Sequence, residues 1–308
     1  MMRSISLARQ MSLSKGSLPY TLQVHRRDLS RLQEQLATGR RVNRASDDAG
    51  AYAQARRLEV LIDRYDQYER SLTTAQAWVV ATQDALDDLA ELFTTAQEEG
   101  IQAANDSLSD EDRDALAASL ENMFQEVLDR LNTRLGEEYL FAGTNTTVRP
   151  FEQDFSGTAD GAGVTYYGNG GARLRAVGPD LDVGVNLTGQ RVLDTGQGFT
   201  ITEAFQGLID AIRTHDSAQI QTALDNVITA RDHLLDMGTE AGNLANRLDR
   251  AGEYLRDARF EFERRRSAHE DADLAETITE LQRTQTNLQA TLQVMASLNQ
   301  TTLLDFLR

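Results

Sequence analysis

The chain has no cysteine, which excludes disulfides, thiolate metal sites and a cysteine nucleophile. Proline occurs three times, as Pro19, Pro150 and Pro179, so most of the chain is open to unbroken helix. Aromatic residues make up only 6%, enough for narrow cores. Lys15 is the single lysine. The other basic residues in the cationic set are arginines, whose planar forks favour bidentate pairing at interfaces. No segment approaches the roughly 18 consecutive apolar residues of a membrane span. Met1 to Gly16 lack an apolar run of signal-peptide length, so the chain is expected to stay in the cytoplasm or to be exported without a cleaved signal. Positive charge is in deficit, with a net charge of −17, which argues against general binding to nucleic acid or anionic membranes.

What is present is a set of apolar seams with a repeat of three and a half residues. One comprises Leu18, Leu22, His25, Leu29, Leu32 and Leu36. A second comprises Leu274, Ile278, Leu281, Gln285, Leu288, Leu292, Met295, Asn299 and Thr302. Alternating steps of four and three mark a left-handed coiled-coil seam, and an isolated helix in water cannot satisfy one. The two ends therefore require helical partners, either each other or another subunit. A third seam runs from Leu58 through Tyr65, Leu72, Val79 and Leu86 to Phe93. No proline or glycine interrupts residues 51–99, which predicts a helix about 70 Å long.

Turn and cap signals divide the chain. The first helix is expected over about 17–38, ending at Gly39. Ser46 is the expected N-cap of the second helix, with Asp47 and Asp48 at its positive end. That helix is expected to break at Gly100. Ser109 and Asp112 resemble a capping box opening the third helix. From Tyr139 to Thr200 glycines and period-two alternation replace the helical rhythm. Val164–Tyr167 and Arg173–Val177 read as strands joined through Gly168–Asn169–Gly170–Gly171, with Leu181–Asn186 as a further strand. Helical periodicity returns near Thr202. A short helix over about 203–213 is followed by long ones over about 218–265, capped by Ser217, and 271–306. The fold class expected is mainly α with a small β insertion: an elongated helical rod or coiled-coil bundle built from N- and C-terminal segments, with a central β domain. The expected divisions are terminal paired helices at 1–45 and 270–308, disordered in the monomer; a helical rod domain at 46–138 and 201–269; and an outer β domain at 139–200.

No catalytic constellation emerges. His25, His215, His233 and His269 lie in separate segments without metal-ligand spacing, so neither a metal nor another cofactor is expected. Asp47–Asp48 reads as helix capping, the Gly168–Gly171 run as a turn without the Lys-Ser/Thr of a phosphate loop, and Arg264–Arg266 as a solvated helix face. Residue patterns alone lead to an acidic helical assembly protein, not an enzyme.

The run Leu36-Ala37-Thr38-Gly39-Arg40-Arg41-Val42-Asn43-Arg44-Ala45-Ser46-Asp47-Asp48-Ala49 resembles the N-terminal signature of bacterial flagellins, with Thr38, Gly39, Asn43, Ser46, Asp47 and Asp48 as the motif residues. Leu288–Leu307 is similar to the terminal helix of that family. Glu138–Thr147 with Pro150–Phe151, and an ending that includes Leu303, Leu304 and Phe306 without a proline, are most similar to the hook–filament junction branch. The resemblance implies a structural part of the flagellum, exported by the flagellar type III system. Its implied partners are further copies of itself, the first hook-associated protein, flagellin, and an export chaperone at the C-terminal helix. The assembly residues it implies are the seam positions Leu18, Leu22, Leu29, Leu32, Leu36, Leu281, Leu288, Leu292 and Met295 with Leu303, Leu304 and Phe306. A small flagellin and a cytoplasmic coiled-coil adaptor are the alternatives.

Overall fold

Proline scarcity is expressed in seven helices among the described residues of the computed structural model. The backbone is described for residues 2–154 and 159–306, and side chains for 19–154 and 159–297. The helices are α1 (Met2–Thr38), α2 (Ala49–Ala103), α3 (Asp110–Leu131), α4 (Gly189–Leu193), α5 (Ile201–Arg213), α6 (Ser217–Glu270) and α7 (Leu274–Phe306). Six short strands lie between α3 and α4. The protein is thus mainly α with a small central β region.

The chain divides into two compact units. One comprises Met1–Arg64 with Ala258–Arg308, the other Tyr65–Asp257. In the central unit the predicted third seam is the buried face of α2: Tyr65, Leu72, Ala75, Val79, Thr82, Leu86, Leu89 and Phe93 are all buried. α6 runs antiparallel to it. Gly252 lies against Leu72, Gly242 against Gln83, Gly238 against Asp87 and Gly100 against Leu224, and Gln76 donates to Asp249 at 2.8 Å. These glycines sit inside the helices, so Gly100 does not end α2, which continues to Ala103. At Gly100 and Gly252 an added Cβ would stand 2.6 and 2.9 Å from Leu224 and Leu72, so there the missing side chain lets the two helices approach. The centre of the core is aromatic: the Phe205 ring on α5 meets Phe93 at 5.2 Å and Phe124 at 5.8 Å.

Helix starts differ from the sequence expectation where an aspartate lies closer to the first free amides than a serine. Asp48 Oδ1, not Ser46, accepts from Ala51 N at 2.9 Å. Asp216 Oδ1, not Ser217, accepts from Ala218 N at 2.9 Å. Ser109 caps α3 as expected, and α5 opens with a complete capping box between Thr200 and Glu203. α1 begins at Met2 rather than near residue 17.

The strands form three antiparallel pairs. β1 (Arg134–Leu135) pairs with β2 (Glu138–Tyr139), β3 (Phe151–Gln153) with β4 (Val164–Tyr166), and β5 (Leu174–Gly178) with β6 (Leu181–Gly184). The hairpin expected through Gly168–Gly171 does not form. Asn169 Oδ1 takes up the amides of Thr144 and Gly171 at 2.9 and 3.0 Å, so that turn is fastened to residue 144 and cannot join β4 to β5. The β5–β6 hairpin turns instead at Pro179–Asp180, with Asp180 at φ 54°, the positive φ at the second central position that defines a type II turn. Residues 139–200 fall within the Tyr65–Asp257 unit, not in a unit of their own. Asn132, next to α3, exchanges hydrogen bonds with the backbone of Phe151 at 3.0 and 3.1 Å, and Arg173 lies over the Trp78 ring at 4.2 Å.

Candidate assembly interface

The terminal unit is built on a small backbone clasp. α1 ends at Thr38, and Gly39 continues at φ +70°, a left-handed value that costs glycine little and other residues more. Its amide bonds Gln35 O at 2.8 Å, completing the helix end. The Gly39 carbonyl then accepts from Ala272 N at 2.9 Å, while Arg41 N and Val42 N both reach Glu270 O, at 2.7 and 3.2 Å. An antiparallel bridge joins Arg40 to Asp271. Arg40 pairs with the Glu270 carboxylate at 2.8 Å, the Arg41 guanidinium reaches His269 O at 3.0 Å, and Val42 is buried beneath.

The motif residues fold the connector back on itself. Thr38 Oγ1 donates to Glu34 O and accepts from Arg40 N. Asn43 Nδ2 bonds Arg40 O at 3.1 Å. Asp47 Oδ2 accepts from both Asn43 N and Arg44 N, at 3.0 and 2.9 Å. Asp48 caps α2, and the Ala51 amide, with Arg41 as a lesser contributor, holds its carboxyl below the usual range. Ser46 is exposed and stands outside this network. On the other strand of the clasp Asp273 caps α7, accepting from Ala275 N and Glu276 N at 2.9 and 3.1 Å. A polar cleft of about 290 Å³ lies beside the clasp, lined by Arg31, Arg41, Asp47, Asp273 and Glu276 among others.

From this clasp α1 and α7 run antiparallel and pack along each other. Leu32 is buried; Leu22, Leu29 and Leu36 on α1, and Leu281, Leu288 and Met295 on α7, are half-buried. Thr277, Thr284 and Thr291 share the half-buried or buried face of α7. The predicted α7 seam is therefore split: Leu274, Ile278 and Leu292 are exposed at 50%, 46% and 44%. The side chains of Leu18, Leu303, Leu304 and Phe306 lie outside the described residues. Glu270, Asp271 and Asp273 give no sequence signal as partners of the motif. A single bridge between segments more than two hundred residues apart leaves no periodicity to read.

Paired terminal helices carried by a mostly helical chain with small β pairs define the class, a helical protein that presents both of its ends together. The family profile described as the bacterial flagellin N-terminal helical region matches residues 14–146, and that of the bacterial flagellin C-terminal helical region matches residues 220–307. The chain belongs to the bacterial flagellin family. It is 35% identical over 128 residues to flagellar hook-associated protein 3 of Salmonella typhimurium, covering 41% of this chain and 40% of that one. It is 29% identical over 163 residues to the Escherichia coli protein of the same name, covering 53% and 49%. The chain thus spans less than half the length of these two relatives. It is also 25% identical over 283 residues to a flagellar filament core protein of Brachyspira hyodysenteriae, covering 91% of each. Among solved structures, a flagellar hook-associated protein from Vibrio parahaemolyticus has a TM-score of 0.67 at 21% identity, covering 73% of this chain and all of that one. The flagellar junction protein from Legionella pneumophila has a TM-score of 0.59 at 18% identity, covering 71% and 100%. At these identities the likeness is one of fold.

Proposed function

We propose that this chain is a structural subunit of the bacterial flagellum, a hook-associated protein at the junction between hook and flagellin filament. The observation that carries this reading is the 35% identity to a hook-associated protein 3, supported by fold likeness to junction proteins covered over their full length. The paired α1 and α7 are the element through which copies would join one another and meet the first hook-associated protein on one side and flagellin on the other. Export proceeds through the flagellar type III apparatus, with a chaperone on α7. The division of labour is a terminal pair for assembly, helical segments as the body, and residues 139–200 as the region carried by them.

Immuno-gold labelling of intact flagella tests the proposal. A single band where hook meets filament is expected. Label along the whole filament favours the second reading, a small flagellin, for which the 25% identity to a filament core protein over 91% of both chains is the specific observation. Absence of label from the flagellum overturns both.

A further inference from the structure

Charge is segregated along the central unit. From Ser71 to Asp112 the chain carries no lysine, arginine or histidine. On α2 the residues Val80, Asp84, Asp87 and Glu91, spaced four, three and four apart, form one exposed stripe. Val80 is 50% exposed, an apolar knob at the end of a row of carboxylates. On α6 the opposite arrangement occurs. Arg247, Arg250 and Tyr254 lie on one exposed face, and neither arginine meets a carboxylate among the described residues. Arg130, Arg173, Arg191 and Arg213 in the same unit each do. Between this face and the β5–β6 hairpin is an open, mainly apolar cleft of about 460 Å³, lined by Val177, Pro179, Leu181, Ala251 and Tyr254, with the two arginines at its rim. Tyr254 and Leu181 are 60% and 43% exposed.

We propose that this cleft receives the Val80–Asp84–Asp87 stripe of α2 from a second copy of the chain. The apolar side chain enters between Pro179, Leu181 and Tyr254, and the carboxylates meet Arg247 and Arg250. Two charges of each sign, each without an ion-pair partner among the described residues, become paired across the contact, and an isolated apolar knob fills an apolar cleft. The two patches are different surfaces, so the contact is heterologous, the type that generates rings or helical arrays instead of closed dimers. Their levels agree with such an array. Gln76 on α2 faces Asp249 on α6, so on the antiparallel pair Val80, Asp84 and Asp87 each stand about nine residues, roughly 13 Å, along the axis from Tyr254, Arg250 and Arg247 respectively. One common shift of about 13 Å therefore brings all three pairs together, and copies joined in this way lie side by side in a stagger of that length. The inference shares with the junction reading only the premise that copies of the chain meet.

Because the chain lacks cysteine, introduced thiols report the contact directly. One population of the purified full chain carries Val80→Cys and a second carries Ala251→Cys. The two are mixed at high concentration and treated with a short bis-maleimide. A covalent dimer is expected, in yield well above that from a control pairing of Leu235→Cys with Ala251→Cys. Adding Arg247→Glu and Arg250→Glu to the second population should cut the yield by about tenfold, since like charges are then opposed. Adding Asp84→Arg and Asp87→Arg to the first should restore it, with helicity of every variant checked by circular dichroism. A yield no higher than the control overturns the proposal, as does a yield indifferent to charge reversal or one that the reciprocal swap does not restore. All arms use purified protein, so failure here leaves the labelling result on intact flagella standing by itself.

Discussion

At the scale of single residues, the glycines of the α2–α6 pair sort by the space beside them. A Cβ on Gly238 or Gly242 would meet its first neighbour at 3.6 Å, ordinary van der Waals contact. Alanine at either position should therefore stabilise by up to about 1 kcal/mol through helix propensity alone. A Cβ on Gly100 would stand 2.6 Å from Leu224 Cδ2 and 3.1 Å from Leu208 Cδ1. Both leucines are buried, so Gly100→Ala should cost roughly 1–3 kcal/mol in overpacking and end with a net loss. Urea denaturation of the three variants checks the order, and stabilisation by Gly100→Ala would contradict the close approach. Arg113 offers a second test. It is 6% exposed and holds the carbonyls of Ala103, His215 and Asn105 at 3.1, 3.2 and 3.2 Å. Arg113→Leu removes all three of these bonds, Asn105 O keeping only the Leu108 amide, and should destabilise the central unit by about 3 kcal/mol, read as a shift in denaturation midpoint at unchanged slope.

At the scale of elements, Arg173 links the β region to α2 and is itself anchored by a carboxylate of the β region. Arg173 stacks on Trp78 and pairs with Glu138 at 2.7 Å. Arg173, followed by the Thr146 hydroxyl, holds the Glu138 carboxyl below its usual 4.5. A depressed carboxylate contributes stability above its ordinary pKa and loses it as the pH falls through the folded value. The anchor on the Arg173 side chain over Trp78 should accordingly loosen from about pH 4.5 downward and be intact at neutral pH. Trp78 is the only tryptophan, so its fluorescence reads the event. Glu138→Gln should flatten the acid limb of that titration, and an unchanged acid limb would show that another group carries it. Sequence periodicity foretold most of the helical part: the face from Tyr65 to Phe93 is buried as the three-and-a-half-residue repeat required, and Ser109 caps α3. It failed where partners are distant or local competition decides. Gly168–Gly171 has the composition of a hairpin turn, yet Asn169 binds residue 144 instead. Ser46 and Ser217 are good caps that lose to Asp48 and Asp216. The clasp was invisible, since Gly39 and Ala272 interact only through backbone atoms.

At the scale of the whole molecule, the α7 seam is shared between two tasks. Leu281, Leu288 and Met295 are half-buried beside α1, while Leu274, Ile278 and Leu292 remain exposed. Full burial of a leucine is worth roughly 1.5–3 kcal/mol, so covering the exposed half in an assembly would be a substantial gain. The double variant Leu288→Asp, Leu292→Asp places charge on both halves. Purified, it should keep the helicity and cooperative unfolding of the Tyr65–Asp257 unit. In cells it should be exported yet not retained at the hook tip, so that flagellin appears in the medium and swimming is lost. Normal motility with normal export of the variant would remove the terminal helices from the assembly role. Its secretion must be measured first, because a chaperone on α7 would meet the same residues.

The bonds that join Gly39, Arg41 and Val42 to Glu270 and Ala272 also have a mechanical meaning. They couple the root of α1 to the root of α7, so tension entering by either terminal helix is divided between two covalent paths, through the connector into α2 and through α6. A pull on α1 alone therefore also loads these cross-bonds. In the proposed flagellar role, load entering through the paired ends would be shared at the point where those ends meet the rest of the chain.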